Sequence, residues 1–312
     1  MLKTVSTLLS VSALLSAFNV SAATPSNDTV SQGDVIQITL SDVIPTQPSV
    51  GYDQIYYKLG RFEQDKKKLF DEICEANGQR GLASFDKATS DTYNPATFEC
   101  KEAVGQRQKD MKTIVIAPNG DYYLTDGHHT FNVFWTMEEG GSDFPVHVVV
   151  ENDYRHLPSM AAFWDNMIED GNTWLFNSEG KQILPAHLPS SLGLDKFEND
   201  QYRSLMYFSR DVGWNKPEQP VPFLEFYWSK EVRQEINLND YDLNSKLGYT
   251  KAITDVSNVL LALQSDSVGD SNRTAKEMGQ FSEFNQKGLD KLMREGKGKV
   301  TYALQYKSTQ AH

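Results

Sequence analysis

Apolar and polar side chains alternate along residues 34–47 (DVIQITLSDVIPTQ), the pattern of a strand with one buried face, and Pro45 ends it. From residue 54 the period lengthens. Ile55, Leu59, Phe62, Leu69 and Ile73 recur at helical spacing, and Asn77-Gly78 supplies a stop. Residues 81–110 are mixed and polar, with no period to assign. β-Prone residues return in KTIVIAPNGDYYLTDG (112–127), where Ile114 to Ala117 and Tyr122 to Leu124 flank Pro118-Asn119-Gly120. Proline presets φ and Asn-Gly accepts positive φ, so this stretch predicts a hairpin. Its second strand runs into Asp126-Gly127, and HHTFNVFWTMEE continues as a helix until Gly140-Gly141 offers a left-handed cap. FPVHVVVEND (144–153) predicts another strand. PSMAAFWDNMIEDG (158–171) predicts another helix, with Pro158 in its first turn and Gly171 at its end.

From about residue 185 the pattern is helical. QYRSLMYFSRDVG (201–213), PFLEFYWSKEVRQEI (222–236), YTKAITDVSNVLLALQS (249–265) and TAKEMGQFSEFNQKGLDKLM (274–293) carry apolar stripes separated by Gly, Pro and Asn/Asp breaks. The fold class is therefore α+β, a small strand-rich unit followed by helices wrapped on it. The expected division is residues 1–22 as a leader, 23–184 as the mixed-sheet domain and 185–312 as a mainly helical region packed on it.

The leader changes the picture of where the protein works. MLKTVSTLLSVSALLSAFNVSAA has one lysine, an apolar stretch and Val20-Ser21-Ala22, the three parts of a secretory signal peptide cleaved after Ala22. The stretch is too short and serine-rich to span a membrane, and no later segment is apolar enough to do so. The expected location is periplasmic or secreted. There, the cysteine pair Cys74 and Cys100 is expected as a disulfide. The formal net charge is −12, and loss of a leader whose only charge is Lys3 makes it more negative. An acidic chain has no general attraction for polyanions, so contact with a phosphate ester needs a local basic pocket working against the overall field.

The candidate chemistry sits at the strand-to-helix junction, Asp126-Gly127-His128-His129-Thr130. A helix beginning at His128 presents free N–H groups and the positive end of its dipole, an anion site. Gly127 lets a phosphate approach the backbone, and His128, His129 and Thr130 add side-chain donors. A histidine there can bind an oxyanion or move a proton near neutral pH. Asp126 would cap the helix or accept a proton or a metal. Local physics equally accommodates a capped helix with two solvent-facing imidazoles. A metal is less well served, because adjacent helical histidines point about 100° apart.

Strand, Pro-Asn-Gly turn, strand and DGHHTFNVF together resemble the core motif of the ParB/sulfiredoxin superfamily. The likeness is greatest to its ParB-like nuclease branch. It extends over LSDVIPTQPSVGYDQIYYK (40–58), the 126–130 box, YRSLMYFSRDVGW (202–214) and PFLEFYWSKEVR (222–233). The resemblance implies a pocket for nucleotide or nucleic-acid phosphate at the box. Relatives hold CTP, ATP or ADP with the corresponding segment, and the box of the free serine kinases also resembles D-G-H-H. Thr130 stands where many relatives carry arginine, which removes a bidentate phosphate fork.

The reading that follows is an exported nuclease hydrolysing phosphodiesters. His128 or His129 is the acid or base, Asp126 orients it or assists a divalent Mg or Mn ion, and the Gly127 to Thr130 backbone holds phosphate. Gln47 and Lys58, after the first strand, and Arg107, before the hairpin, are further phosphate-binding candidates. Arg203, Arg210 and Glu225 fit an ion pair between the two halves as well as they fit catalysis. The alternatives are a non-catalytic binding protein for a nucleotide or anionic small molecule, and a nucleotide-dependent phosphotransferase resembling the free serine kinases. No protein partner is inferable from the residues.

Overall fold

The computed structural model describes residues 30–310. The leader expected at residues 1–22 lies outside them. The chain from Ser31 onward forms one compact unit, mixed α+β in class.

The first alternating run does not make one strand. It splits into β1 (Val35–Thr39) and β2 (Val43–Pro45), with a 3₁₀ turn over Leu40–Asp42 between them. The cause is local. Asp42 Oδ2 accepts from the Thr39 N–H at 2.7 Å and from the Thr39 hydroxyl at 2.9 Å, so side chains take over bonds that a ladder would need. The hairpin forms as expected, from β6 (Lys112–Ile116) and antiparallel β7 (Tyr122–Asp126), with Gly120 at φ 89° in its turn. With β8 (Pro145–Asp153) these strands build a five-stranded mixed sheet in the order β1-β8-β6-β7-β2. β1 and β2, consecutive in the chain, are its opposite edges. A flat sheet would hold such edges about 19 Å apart, beyond the reach of a three-residue turn rising about 2 Å per residue. The sheet is therefore curled.

The long helical pattern after residue 54 breaks in two, α1 (Tyr52–Gln64) and α2 (Lys66–Ala76), because Asp65 leaves helical geometry at φ −141° and caps the second helix through the Lys67 N–H. The unassigned segment contains a short antiparallel pair, β4 (Leu82–Phe85) and β5 (Phe98–Cys100). The Cys74–Cys100 disulfide ties it to α2. A further small parallel pair joins β3 (Ser49–Val50) to β9 (Glu198–Asn199).

Helix α3 (His128–Thr136) follows β7 directly, and α4 (Met160–Glu169) sets Phe163 and Met167 against Val115 and Tyr123 of the sheet. The cap of α4 is Ser159, whose hydroxyl accepts from Ala162 N–H, so Pro158 precedes the helix and does not lie in its first turn. The second half supplies α5 (Gln201–Ser209), α6 (Leu224–Glu235), α7 (Lys246–Ala262), α8 (Gln286–Leu292) and α9 (Lys299–Gln310). The helix expected over 274–293 survives only as α8. Gly279, at φ 92°, turns the chain where a Cβ would strike the Asn215 carbonyl oxygen at 1.7 Å. A core containing Leu205, Phe208, Trp214, Trp228 and Tyr249 joins these helices and reaches into the first half through Tyr57 of α1. No described helix is long and apolar enough to cross a membrane.

Candidate functional site

The junction of β7 and α3 opens into a cleft of about 1050 Å³ that Asp126, Gly127, His128, His129 and Thr130 all line. Gly127, not Asp126, is the N-cap of α3, and no side chain caps the helix. Its φ of 117° is left-handed, and a Cβ there would meet the Lys112 side chain at 2.8 Å. Glycine is thus required twice, by its dihedral and by the close approach. Since the first N–H groups of any α-helix have no partner within it, the uncapped start of α3 presents donors toward the cleft. Asp126 ends β7 with its carboxylate 65% exposed and 3.1 Å from Lys112 Nζ. Partial desolvation opposes its charge, yet Lys112 and then Lys216 hold the carboxyl below its ordinary range.

Neither imidazole faces solvent freely. His128 is buried, and its Nε2 accepts from the Thr46 N–H at 3.0 Å. His129 Nε2 accepts from the Gly51 N–H at 3.0 Å. An accepting Nε2 places the proton on Nδ1, so both rings are neutral donors through Nδ1. Burial pushes the pKa of His128 down to about 3. Burial, and next the Arg203 guanidinium, hold that of His129 well below the usual imidazole range.

Across the cleft, α5 and α6 bring Arg203, Arg210 and Glu225 together. Glu225, its side chain 9% exposed, lies 3.3 Å from Arg203 Nη2 and also pairs with Arg210 Nη2. Burial opposes the carboxylate's charge, but Arg203 and Arg210 outweigh it and keep the group ionised. The Nε atoms of both arginines are buried and find no hydrogen-bond partner among the described residues. Along the whole lining, eight Lys and Arg face six Asp and Glu. A protein of net charge −12 thus carries a cleft with a local positive excess.

The family model described as "Putative ParB-like nuclease" matches residues 36–234. The chain belongs to this ParB-like nuclease family. The match takes in the whole sheet except the first residue of β1, the Asp126 to Thr130 box, and the Arg203, Arg210 and Glu225 cluster. Among solved structures the chain is similar to protein Atu1540 from Agrobacterium tumefaciens, at 17% identity and a TM-score of 0.48, covering 74% of this chain and 92% of that one. No curated protein matches.

The remaining candidates of this ParB-like chain divide. Gln47 and Lys58 do line the cleft. Gln47 is buried, its Nε2 donating to the Ser49 carbonyl at 2.6 Å, while Lys58 Nζ is paired with Glu72 at 2.5 Å. Arg107 reaches the rim but is forked onto Glu102, Nε to Oε2 at 2.6 Å and Nη2 to Oε1 at 2.8 Å. The guanidinium that Thr130 lacks comes into the cleft from α5 instead, as Arg203 and Arg210. Lys112, Lys216 and Phe223 also line the cleft and carry no sequence signal of their own. Among the described residues no group of three His, Cys, Asp or Glu is placed to hold a metal ion. The donors present do not fit a protein-caged Mg or Mn ion, and no step is derived through one.

Proposed function

We propose that the cleft binds a phosphodiester and hydrolyses it, and that the protein does so in the periplasm or after secretion. The observation that carries the reading is the positive excess of a cleft lined both by the uncapped start of α3 and by Arg203 and Arg210. Phosphate oxygens would take hydrogen bonds from the His128 to Thr130 N–H groups and charge from Arg210 and Lys216. Donors fixed in advance stabilise the extra negative charge that develops on those oxygens as water attacks.

In this mechanism Asp126 takes the proton of the attacking water and the water oxygen bonds to phosphorus. The bond from phosphorus to the leaving oxygen breaks, and that oxygen takes a proton from Lys216. Burial lowers the Lys216 pKa and so makes its ammonium a better acid. His128 and His129, whose Nε2 lone pairs are occupied, hold the box against Thr46 and Gly51 and offer Nδ1–H rather than accept protons.

A second reading, binding of a nucleotide without turnover, is favoured by the same occupied lone pairs. One assay separates the two. The disulfide-bonded protein is incubated with single- and double-stranded DNA, RNA and a nucleotide panel in Mg²⁺, Mn²⁺ or EDTA, beside Asp126→Asn and Arg210→Ala. Hydrolysis lost in Asp126→Asn, with ligand-induced stabilisation retained, supports catalysis. Ligand-induced stabilisation with no product in any condition leaves the binding reading. Neither product nor stabilisation removes both. The location is checked separately, by fractionating expressing cells and sequencing the N-terminus of the product for cleavage after Ala22.

A further inference from the structure

We propose that the cleft takes its phosphate as part of a nucleotide whose base is unpaired, and that Phe223 is the surface on which that base lies. This rests on the phosphate reading above and narrows its substrate class to single-stranded nucleic acid.

The cleft has two chemically different walls. One is the cationic wall of the box, Lys112 and the arginines. The other includes the segment Pro220-Val221-Pro222-Phe223, which leads into α6. Phe223 is half-buried, and its backbone sits at φ 54°, ψ 24°. A bulky side chain in the left-handed region is uncommon and strained. The conformation is held because the Phe223 carbonyl accepts from the Phe226 N–H at 2.8 Å, which starts α6.

The ring is also held from behind. Its centroid is 6.1 Å from Trp174 and 6.3 Å from Phe226, and those two rings stack on each other at 5.1 Å and 22°. Trp174 and Phe226 are buried, whereas Phe223 keeps part of its surface toward the cleft. The result is a half-buried aromatic ring that lines the cleft and packs on buried neighbours. Base stacking on such a ring is tolerant of sequence, because every base has a π face. Two buried amides, Gln47 and Asn172, line the same cleft. With Gln47 Nε2 spent on Ser49, its Oε1 remains an acceptor for a base edge. A base inside a duplex presents no free face for stacking, so the ligand must be single-stranded or flipped out.

The test measures binding of a short oligothymidylate, an abasic strand of the same length and a duplex to the full disulfide-bonded protein. The variants are Phe223→Gly, Phe223→Leu and Phe223→Trp. Glycine accepts the left-handed backbone without strain; leucine keeps apolar bulk but has no π face. The wild-type protein is expected to bind oligothymidylate roughly tenfold more tightly than the abasic strand, and more tightly than duplex. Phe223→Gly and Phe223→Leu are expected to erase that difference while leaving abasic binding unchanged, which also shows that they fold; Phe223→Trp is expected to restore it. Equal binding of oligothymidylate and abasic strand by the wild type overturns this inference and leaves the phosphate reading standing. So does duplex binding as tight as single-strand binding, or variants that keep full preference for bases. Binding of none of the three overturns both.

Discussion

The Thr46 N–H is buried, and the lone pair that receives it belongs to an imidazole. This gives His128 a pH signature. In the unfolded chain a histidine binds a proton near pH 6.5, whereas folded His128 does so only at about 3. The folded value of His129 is depressed as well. Between the two values the unfolded state holds more protons, so stability is fully present above about pH 6.5 and falls as the solution is acidified below it. Each such histidine contributes a slope of at most about 1.4 kcal/mol per pH unit. Thermal midpoints measured from neutral pH down to pH 5 should therefore fall. His128→Gln, which keeps an acceptor for Thr46 but does not titrate, should fall less steeply. Parallel curves for the two proteins would mean that the imidazole is not held neutral in the fold.

Helices α1 and α9 cross closely because Gly60 has no side chain. A Cβ at that position would lie 2.5 Å from the Tyr302 carbonyl oxygen, a backbone atom that cannot step aside alone. Glycine to alanine in an exposed helix raises stability by about 1 kcal/mol. Gly60→Ala is expected to do the reverse, lowering the midpoint of urea unfolding. A gain would show that the two helices can separate without loss. Elements of this kind mark what the sequence could and could not convey. The hairpin and the β7–α3 junction were legible because their signals are local: Pro118-Asn119-Gly120, then a change of period at Gly127. The split of β1 from β2 was not, since the apolar and polar pattern of residues 34–47 read as one strand, and it is the Asp42 bonds to Thr39 that divide it. Nor could spacing show that Arg203, Arg210 and Glu225 line the same cleft as the box, because that depends on how α5 packs against α1 and α6, far from the box in the chain. Phe223 was hidden for another reason: an aromatic before a helix reads as core, and only its dihedral sets it apart.

Over the whole molecule, a net charge of −12 contrasts with a cleft of local positive excess, so the site must draw a phosphate ligand against the overall field. Affinity for a short single strand should decline as salt rises, and Lys216→Gln should reduce the slope of log K against log salt by about one. An unchanged slope in that variant would remove Lys216 from the contact surface. The curled sheet has its own consequence, and it concerns time. β1 and β2 are among the first parts of the described fold to leave a ribosome or a translocon, yet Val35 pairs with Val149 and Val43 with Tyr122. β2 cannot pair until β7 has followed, and β1 cannot pair until β8 has. Pairings between distant positions fold slowly, since loop closure must come before any contact rewards it. The N-terminal strands thus wait unpaired, β1 longest, and the box, which follows the strand that β2 will cover, gains its Thr46 contact only when that strand has been delivered.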